Sequence, residues 1–224
     1  MEANPIQVAK DRGERAQGTR ASGHQLITVT NGEKREINLR QWLYDASLSG
    51  NVETVDELMR EDELTLARVS LTCFNETPLR VAAMLGHANF ANFAKALVSY
   101  KPDLASQLDS QGCSALHLAA SNGFVGIVKT LLKVDSDVCL VRDKDRRTHL
   151  HLAVMKGHVR VVKELARARW EVSQLTLERG ETILHSCVIS NRLEVLKSLM
   201  ELTSKVDDDF VNVKDVNGNT ILHT

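Results

Sequence analysis

A short pattern returns along this 224-residue chain at an almost fixed interval. It reads Thr77-Pro78-Leu79-Arg80-Val81-Ala82, then Ser114-Ala115-Leu116-His117-Leu118-Ala119, Thr148-His149-Leu150-His151-Leu152-Ala153 and Thr182-Ile183-Leu184-His185-Ser186-Cys187. Gln41-Trp42-Leu43-Tyr44-Asp45-Ala46 is a divergent earlier copy, and Thr220-Ile221-Leu222-His223 is a broken last one. The central leucines stand 36, 37, 34, 34 and 38 residues apart. A period of this size means one supersecondary unit stacked on copies of itself, because no single unit can bury its apolar face alone.

Each copy carries its own punctuation. The Thr or Ser caps a helix N-terminus, and Pro78 follows at the first helical position, where a missing N–H costs nothing. Seven residues after each central leucine stands Gly50, Gly86, Gly123, Gly157 or Asn191, residue types that accept the positive φ with which short helices end. Apolar residues at helical spacing follow, such as Val125, Val128, Leu131 and Leu132, or Val159, Val162 and Leu165, and predict a second helix. Polar turns precede three copies: Asp109 to Gly112, Asp143 to Arg146 and Asp215 to Gly218. The unit is therefore turn, short helix, turn, longer helix.

These units resemble ankyrin repeats, whose pattern is D-x-x-G-x-T-P-L-H-x-A-A-x-x-G-H, over about residues 40–224. The resemblance implies an all-α ankyrin-repeat solenoid of helix-turn-helix units with short connecting fingers. It implies no cofactor and no catalysis, with protein partners bound through finger tips and the concave face of the first helices. It also implies that His117, His151, His185 and His223 hydrogen-bond across the turns between neighbouring repeats, and that His87 and His158 are motif residues. His24 and His149 fall outside the pattern. More narrowly, Lys101-Pro-Asp-Leu-Ala, Val141-Arg-Asp-Lys-Asp, Ala153-Val-Met-Lys-Gly-His158 and Gly180-Glu-Thr-Ile-Leu-His185 are similar to plant ankyrin proteins that end in a membrane-spanning PGG domain. That likeness implies a role in defence or stress signalling, with the repeats on the cytosolic side.

The boundaries follow. Residues 1–38 form a largely disordered N-terminal segment and 39–224 the repeat domain. Its repeats lie near 40–71, 75–108, 112–142, 146–175 and 180–212, with a truncated sixth from 216. The chain stops within the sixth motif and contains no PGG segment, so the expectation is truncation before a C-terminal anchor.

Two copies depart from the pattern. In the second, Leu97 lies three residues later than its counterparts Leu58, Leu131, Leu165 and Leu199, after the near-duplication Ala88-Asn-Phe90-Ala91-Asn-Phe93. Three residues turn a helix by about 300°, short of a full turn, which predicts a bulge or lengthened start with Phe90 or Phe93 partly exposed. In the fourth, Arg146 takes the turn position of Gly112, Gly180 and Gly218, and His149 replaces the first-turn proline.

Chemistry-bearing residues are better explained by the repeat than by a site. Four histidines share one motif position, so they read as structural and not as metal ligands. The four cysteines, Cys73, Cys113, Cys139 and Cys187, form no Cys-x-x-Cys pair, and neither Cys113 before His117 nor Cys187 after His185 has the spacing of a nucleophile and base. The first 25 residues hold no apolar run for a signal peptide, and no stretch reaches the roughly 18 apolar residues of a membrane span. A cytoplasmic protein with reduced thiols is expected. A net charge of −1 argues against nucleic acid as a partner.

Charge is nevertheless segregated. Residues 142–169 carry nine basic side chains against three acidic, residues 51–64 six acidic against one basic, and residues 201–215 five acidic against two basic. Arg142, Lys144, Arg146, Arg147, Lys156 and Arg160 are candidate contacts for an acidic partner surface, the finger residues among them also for anionic lipid, and a merely solvated face is the alternative. Two readings of the whole protein stay open: an anchored plant signalling protein, or a soluble cytosolic or nuclear adaptor.

Overall fold

A computed structural model describes residues 31–61, 77–86, 88–203 and 208–223. His24, Cys73, His87 and the expected disorder of residues 1–25 lie outside them. Among the described residues ten α-helices follow in pairs: α1 (Asn31–Ser49) with α2 (Val52–Glu61), α3 (Pro78–Leu85) with α4 (Ala88–Tyr100), and α5 (Ala115–Asn122) with α6 (Val125–Val134). The last two pairs are α7 (His149–Lys156) with α8 (Val159–Ala168) and α9 (Ile183–Ile189) with α10 (Leu193–Thr203). First helices pack on first helices and second on second, from α1 through α9 and from α2 through α10. The result is a two-layer helical solenoid. Among the described residues no strand forms beyond one bridge between Arg142 and Thr148. Helix α1 starts at Asn31, eight residues ahead of the expected boundary at residue 39.

The motif leucine anchors every pair. Leu43 is 1% exposed, and Leu79, Leu116, Leu150 and Leu184 are fully buried, all within one continuous core. Small Ala82, Ala119 and Ala153, all buried, let adjacent first helices approach. The scarcity of aromatic residues, 4% of the chain, follows from this close packing.

Helix α4 corrects the sequence reading of the second repeat. It has no bulge, and Phe90 and Phe93 are buried at 2% and 0% exposure. The three additional residues extend its C-terminal end: α4 runs 13 residues against 10 in α6 and α8. Counted from the turn, Phe90, Ile127, Val161 and Val195 share one buried slot, and Ala94, Leu131, Leu165 and Leu199 share another. Register is unbroken: Leu97 is the counterpart of Val134 and Ala168, and Val98 to Tyr100 form the extra turn.

Turn assignments hold at both kinds of turn. Asn191 stands at φ 53° where other repeats have Gly86, Gly123 or Gly157 at 65–84°. Arg146 has φ 60°, in line with Gly112 at 75°, Gly180 at 69° and Gly218 at 81°. A side chain at such a φ costs about 1 kcal/mol or more. Arg146→Gly should therefore raise the melting temperature, by about 2–4 °C for a chain of this size; a fall in a calorimetric scan would refute the strain.

Candidate functional site

The turns before the first helices build a row of fingers. Each closes as a tight hairpin, with backbone bonds from Asp109 N to Cys113 O (3.0 Å), Asp143 N to Arg147 O (2.9 Å) and Asp215 N to Asn219 O (2.9 Å). The aspartate side chain finishes the loop, as Asp109 Oδ1 accepts from the amides of Gln111 and Cys113 at 2.7 and 2.8 Å. Adjacent fingers are stitched together by Lys144 N to Gln111 O and Val216 N to Arg179 O, both 2.9 Å.

Behind three of the fingers sits a capping box. The N-cap amide donates to histidine Nδ1 from Ser114 to His117 (3.0 Å), Thr148 to His151 (3.3 Å) and Thr182 to His185 (3.2 Å). Acceptance at Nδ1 assigns the proton to Nε2. The expected bond between repeats is formed by His185, whose Nε2 donates to Asn219 O at 3.2 Å. His117 feels the equivalent backbone of Arg147, but its Nε2 and that of His151 make no hydrogen bond within 3.5 Å. In the second repeat Arg80 does this work. Its Nη1 donates to Cys113 O (2.6 Å) and its Nη2 pairs with Asp109 Oδ2 (2.7 Å), both side chains being nearly buried. Burial alone would raise the Asp109 carboxyl; the Cys113 and Gln111 amides and Arg80 overcome it and hold it below the usual carboxylate value.

His149 is part of the core. It is fully buried, its ring lies 3.7 Å from that of His117, Nε2 is 3.1 Å from Ser114 Oγ, and Nδ1 is 3.3 Å from Cys139 O. Burial, and next the neighbouring His117, drive its basicity well below 6.5. Burial likewise pushes His117 and His151 down to about 4. Burial raises the thiols too, Cys139 to about 11 and Cys187 to about 12, the opposite of an activated nucleophile.

The basic residues picked from the sequence do not form one patch. Lys144 and Arg146 are exposed at a finger tip. Arg142 is turned to structure, its Nη1 donating to Thr176 O at 3.0 Å. Arg147 pairs with Asp143 at 2.8 Å and with Asp145. Lys156 and Arg160 are exposed at the far end of the repeat, where α7 turns into α8. The acidic run 51–64 is described only to residue 61.

A feature the sequence reading passed over lies on the first helices. The slot two residues before each turn holds Leu48, Met84, Met155 and Ile189, which are 47%, 59%, 38% and 56% exposed, with Ser121 in the third repeat. Isolated exposed apolar side chains are ordinary, but these four share one register on helices packed side by side. The signal was a column of large apolar residues at a fixed offset from the turn. One turn back, Leu118 and Leu152 are half-buried and continue the strip.

The repeat geometry agrees with comparison to known families. A family model described as ankyrin repeats (3 copies) matches residues 43–142 and 134–209. The chain belongs to the ankyrin-repeat family. No curated protein matches it. Ankyrin repeats are protein–protein interaction modules, and in this ankyrin-repeat chain the fingers and the apolar strip are among the surfaces that the stacked core leaves open. No helix among the described residues is long and apolar enough to cross a membrane.

Proposed function

We propose that this ankyrin-repeat chain reads a protein partner across its first helices and fingers, as the cytosolic part of a plant membrane-anchored protein acting in defence or stress signalling. The observation that carries the binding reading is the exposed column Leu48, Met84, Met155 and Ile189, since an aligned apolar strip has a cost in water that a partner removes. Lys144 and Arg146 at the adjoining finger tip favour carboxylates on that partner. The plant and membrane reading rests on the likeness of the four stretches quoted above, and its anchor would lie beyond Thr224.

Affinity capture from plant extract tests the binding surface. The chain should retain a discrete set of proteins that Met84→Asp, Met155→Asp and Ile189→Asp together abolish, with the far-ultraviolet circular dichroism unchanged. Recovery of the same set by the folded variant would overturn the surface. Sequencing the transcript tests the anchor. In-frame apolar segments of about 20 residues support it, and a stop directly after Thr224 returns the protein to the soluble adaptor class.

A further inference from the structure

The second helices carry a charge pattern separate from the fingers. Helix α4 contains Lys95 and no acid, α6 contains Lys129 and Lys133 and no acid, and α8 contains Arg160, Lys163 and Arg167 with one carboxylate, Glu164. Six cations thus face one anion on three adjacent helices. Glu164 is shared between Lys129 at 3.3 Å and Arg167 at 4.0 Å, while Lys95, Lys133 and Arg160 are exposed and join none of the ion pairs among the described residues. The band has edges. Helix α2 carries Glu53, Asp56, Glu57 and Glu61 against Arg60, and α10 carries Glu194 and Glu201 against Lys197. At its finger-side end, Asp135 and Asp137 follow α6, and Arg169 pairs with Asp137 at 2.7 Å. Positive charge away from these finger-side acids is therefore concentrated at the opposite end, around Arg160, which joins no ion pair among the described residues, and Lys129, which shares Glu164 with Arg167.

That same place holds a hollow of about 540 Å³, floored by Ala91, Phe124 and Ile127 and rimmed by Lys129 and Arg160. Gly126 lies in its lining. Other repeats have Glu53, Asn89, Arg160 or Glu194 at this position. Gly126 does not have the positive φ of the turn glycines, and a Cβ there would meet only the Ala91 methyl, at 3.1 Å. A glycine inside a helix weakens it relative to alanine; no positive φ calls for one here, and its absent side chain accommodates both the close approach of Ala91 and the hollow. What it provides is room.

We infer that the α4–α6–α8 face docks an acidic segment of a partner protein, with one bulky apolar side chain seated over Gly126 and flanking carboxylates on Lys129 and Arg160. A buried apolar anchor within a charged rim is how compact interfaces concentrate their affinity. The acidic α2 and α10 edges select a short acidic segment over a bilayer or a nucleic-acid backbone, whose continuous negative charge would run onto both edges. This site is distinct from the first-helix surface proposed above, and either can fail alone.

The test uses the full chain and a fluorescein-labelled peptide, Asp-Glu-Asp-Phe-Asp-Glu-Asp, in fluorescence anisotropy at low and physiological salt. Saturable binding is expected, at least tenfold weaker for Lys129→Glu with Arg160→Glu, at least fivefold weaker for Gly126→Leu, and at least fivefold weaker when alanine replaces phenylalanine in the peptide. Arg160→Glu alone, an exposed change that leaves the core intact, should weaken it at least threefold. The chain bearing Met84→Asp, Met155→Asp and Ile189→Asp should bind as the wild type does. No saturable binding, or binding indifferent to Gly126→Leu and to the charge reversals, overturns the site. Equal binding of the alanine peptide overturns the anchor. Tighter binding to phosphatidylserine vesicles or duplex DNA at the same salt overturns the chosen partner class.

Discussion

Lowering the pH from 7 to 5 should strip the third and fourth repeats of much of their stability. His117 and His151 are held neutral by burial, with basicities of about 4 against the ordinary 6.5, and His149 lies well below 6.5 beside them. Unfolding returns each ring to water, where it takes up a proton. Its contribution is complete above about pH 6.5 and drains as the pH falls towards 4. The surrounding charges do not cancel this. Asp143 favours protonation of both His117 and His151, Asp109 adds to it at His117, and Arg142 and Arg147 oppose it, yet burial outweighs them. At 1.36 kcal/mol per unit, each of the two rings is worth about 3 kcal/mol over the full range. That is a large part of the roughly 5–15 kcal/mol that holds a domain together. Thermal melts followed by circular dichroism at pH 7, 6 and 5 should show a falling midpoint. His149→Pro, which restores the residue found at Pro78, should lessen the fall. A midpoint constant from pH 7 to 5 would contradict the buried neutral rings.

Removing Arg80 should cost more than any exposed charge in the molecule. Its guanidinium bridges repeats two and three, through Cys113 O at 2.6 Å and Asp109 at 2.7 Å, with both side chains about a tenth exposed. Loss of one member of a buried pair leaves the other desolvated and unmatched, and Arg80→Ala should destabilise by about 3 kcal/mol, lowering the melting midpoint by about 6–12 °C. Arg80→Lys keeps the charge without the two-pronged geometry and should recover only part of it. Adding Asp109→Ala to Arg80→Ala should cost less than the sum of the two single changes. An Arg80→Ala loss within about 0.5 kcal/mol would place the pair among ordinary surface salt bridges.

These two groups mark where sequence reasoning reaches and where it stops. The period, the motif leucines, the turn at Asn191 and the positive φ of Arg146 were legible, because each depends on a residue and its near neighbours. Arg80 was visible as an arginine in the histidine position, but its partner is 29 residues away in another turn. His149 looked like a stray residue because nothing local shows that its ring stacks on His117. The second repeat was misread for the same reason: counting from Leu97 cannot tell an insertion at the start of α4 from an extension of its end, and only packing against α2 and α6 decides. The basic run 142–169 was real in composition, yet the fold parts it between a finger tip, structural ion pairs and the second-helix face.

The most direct test of the account is amide hydrogen exchange on the chain with and without a partner recovered by affinity capture. Added protection is expected in α3, α7 and α9, around Met84, Met155 and Ile189, and in the finger carrying Lys144 and Arg146. Protection confined to the second helices, or unchanged exchange in the first helices of a saturated complex, would contradict it.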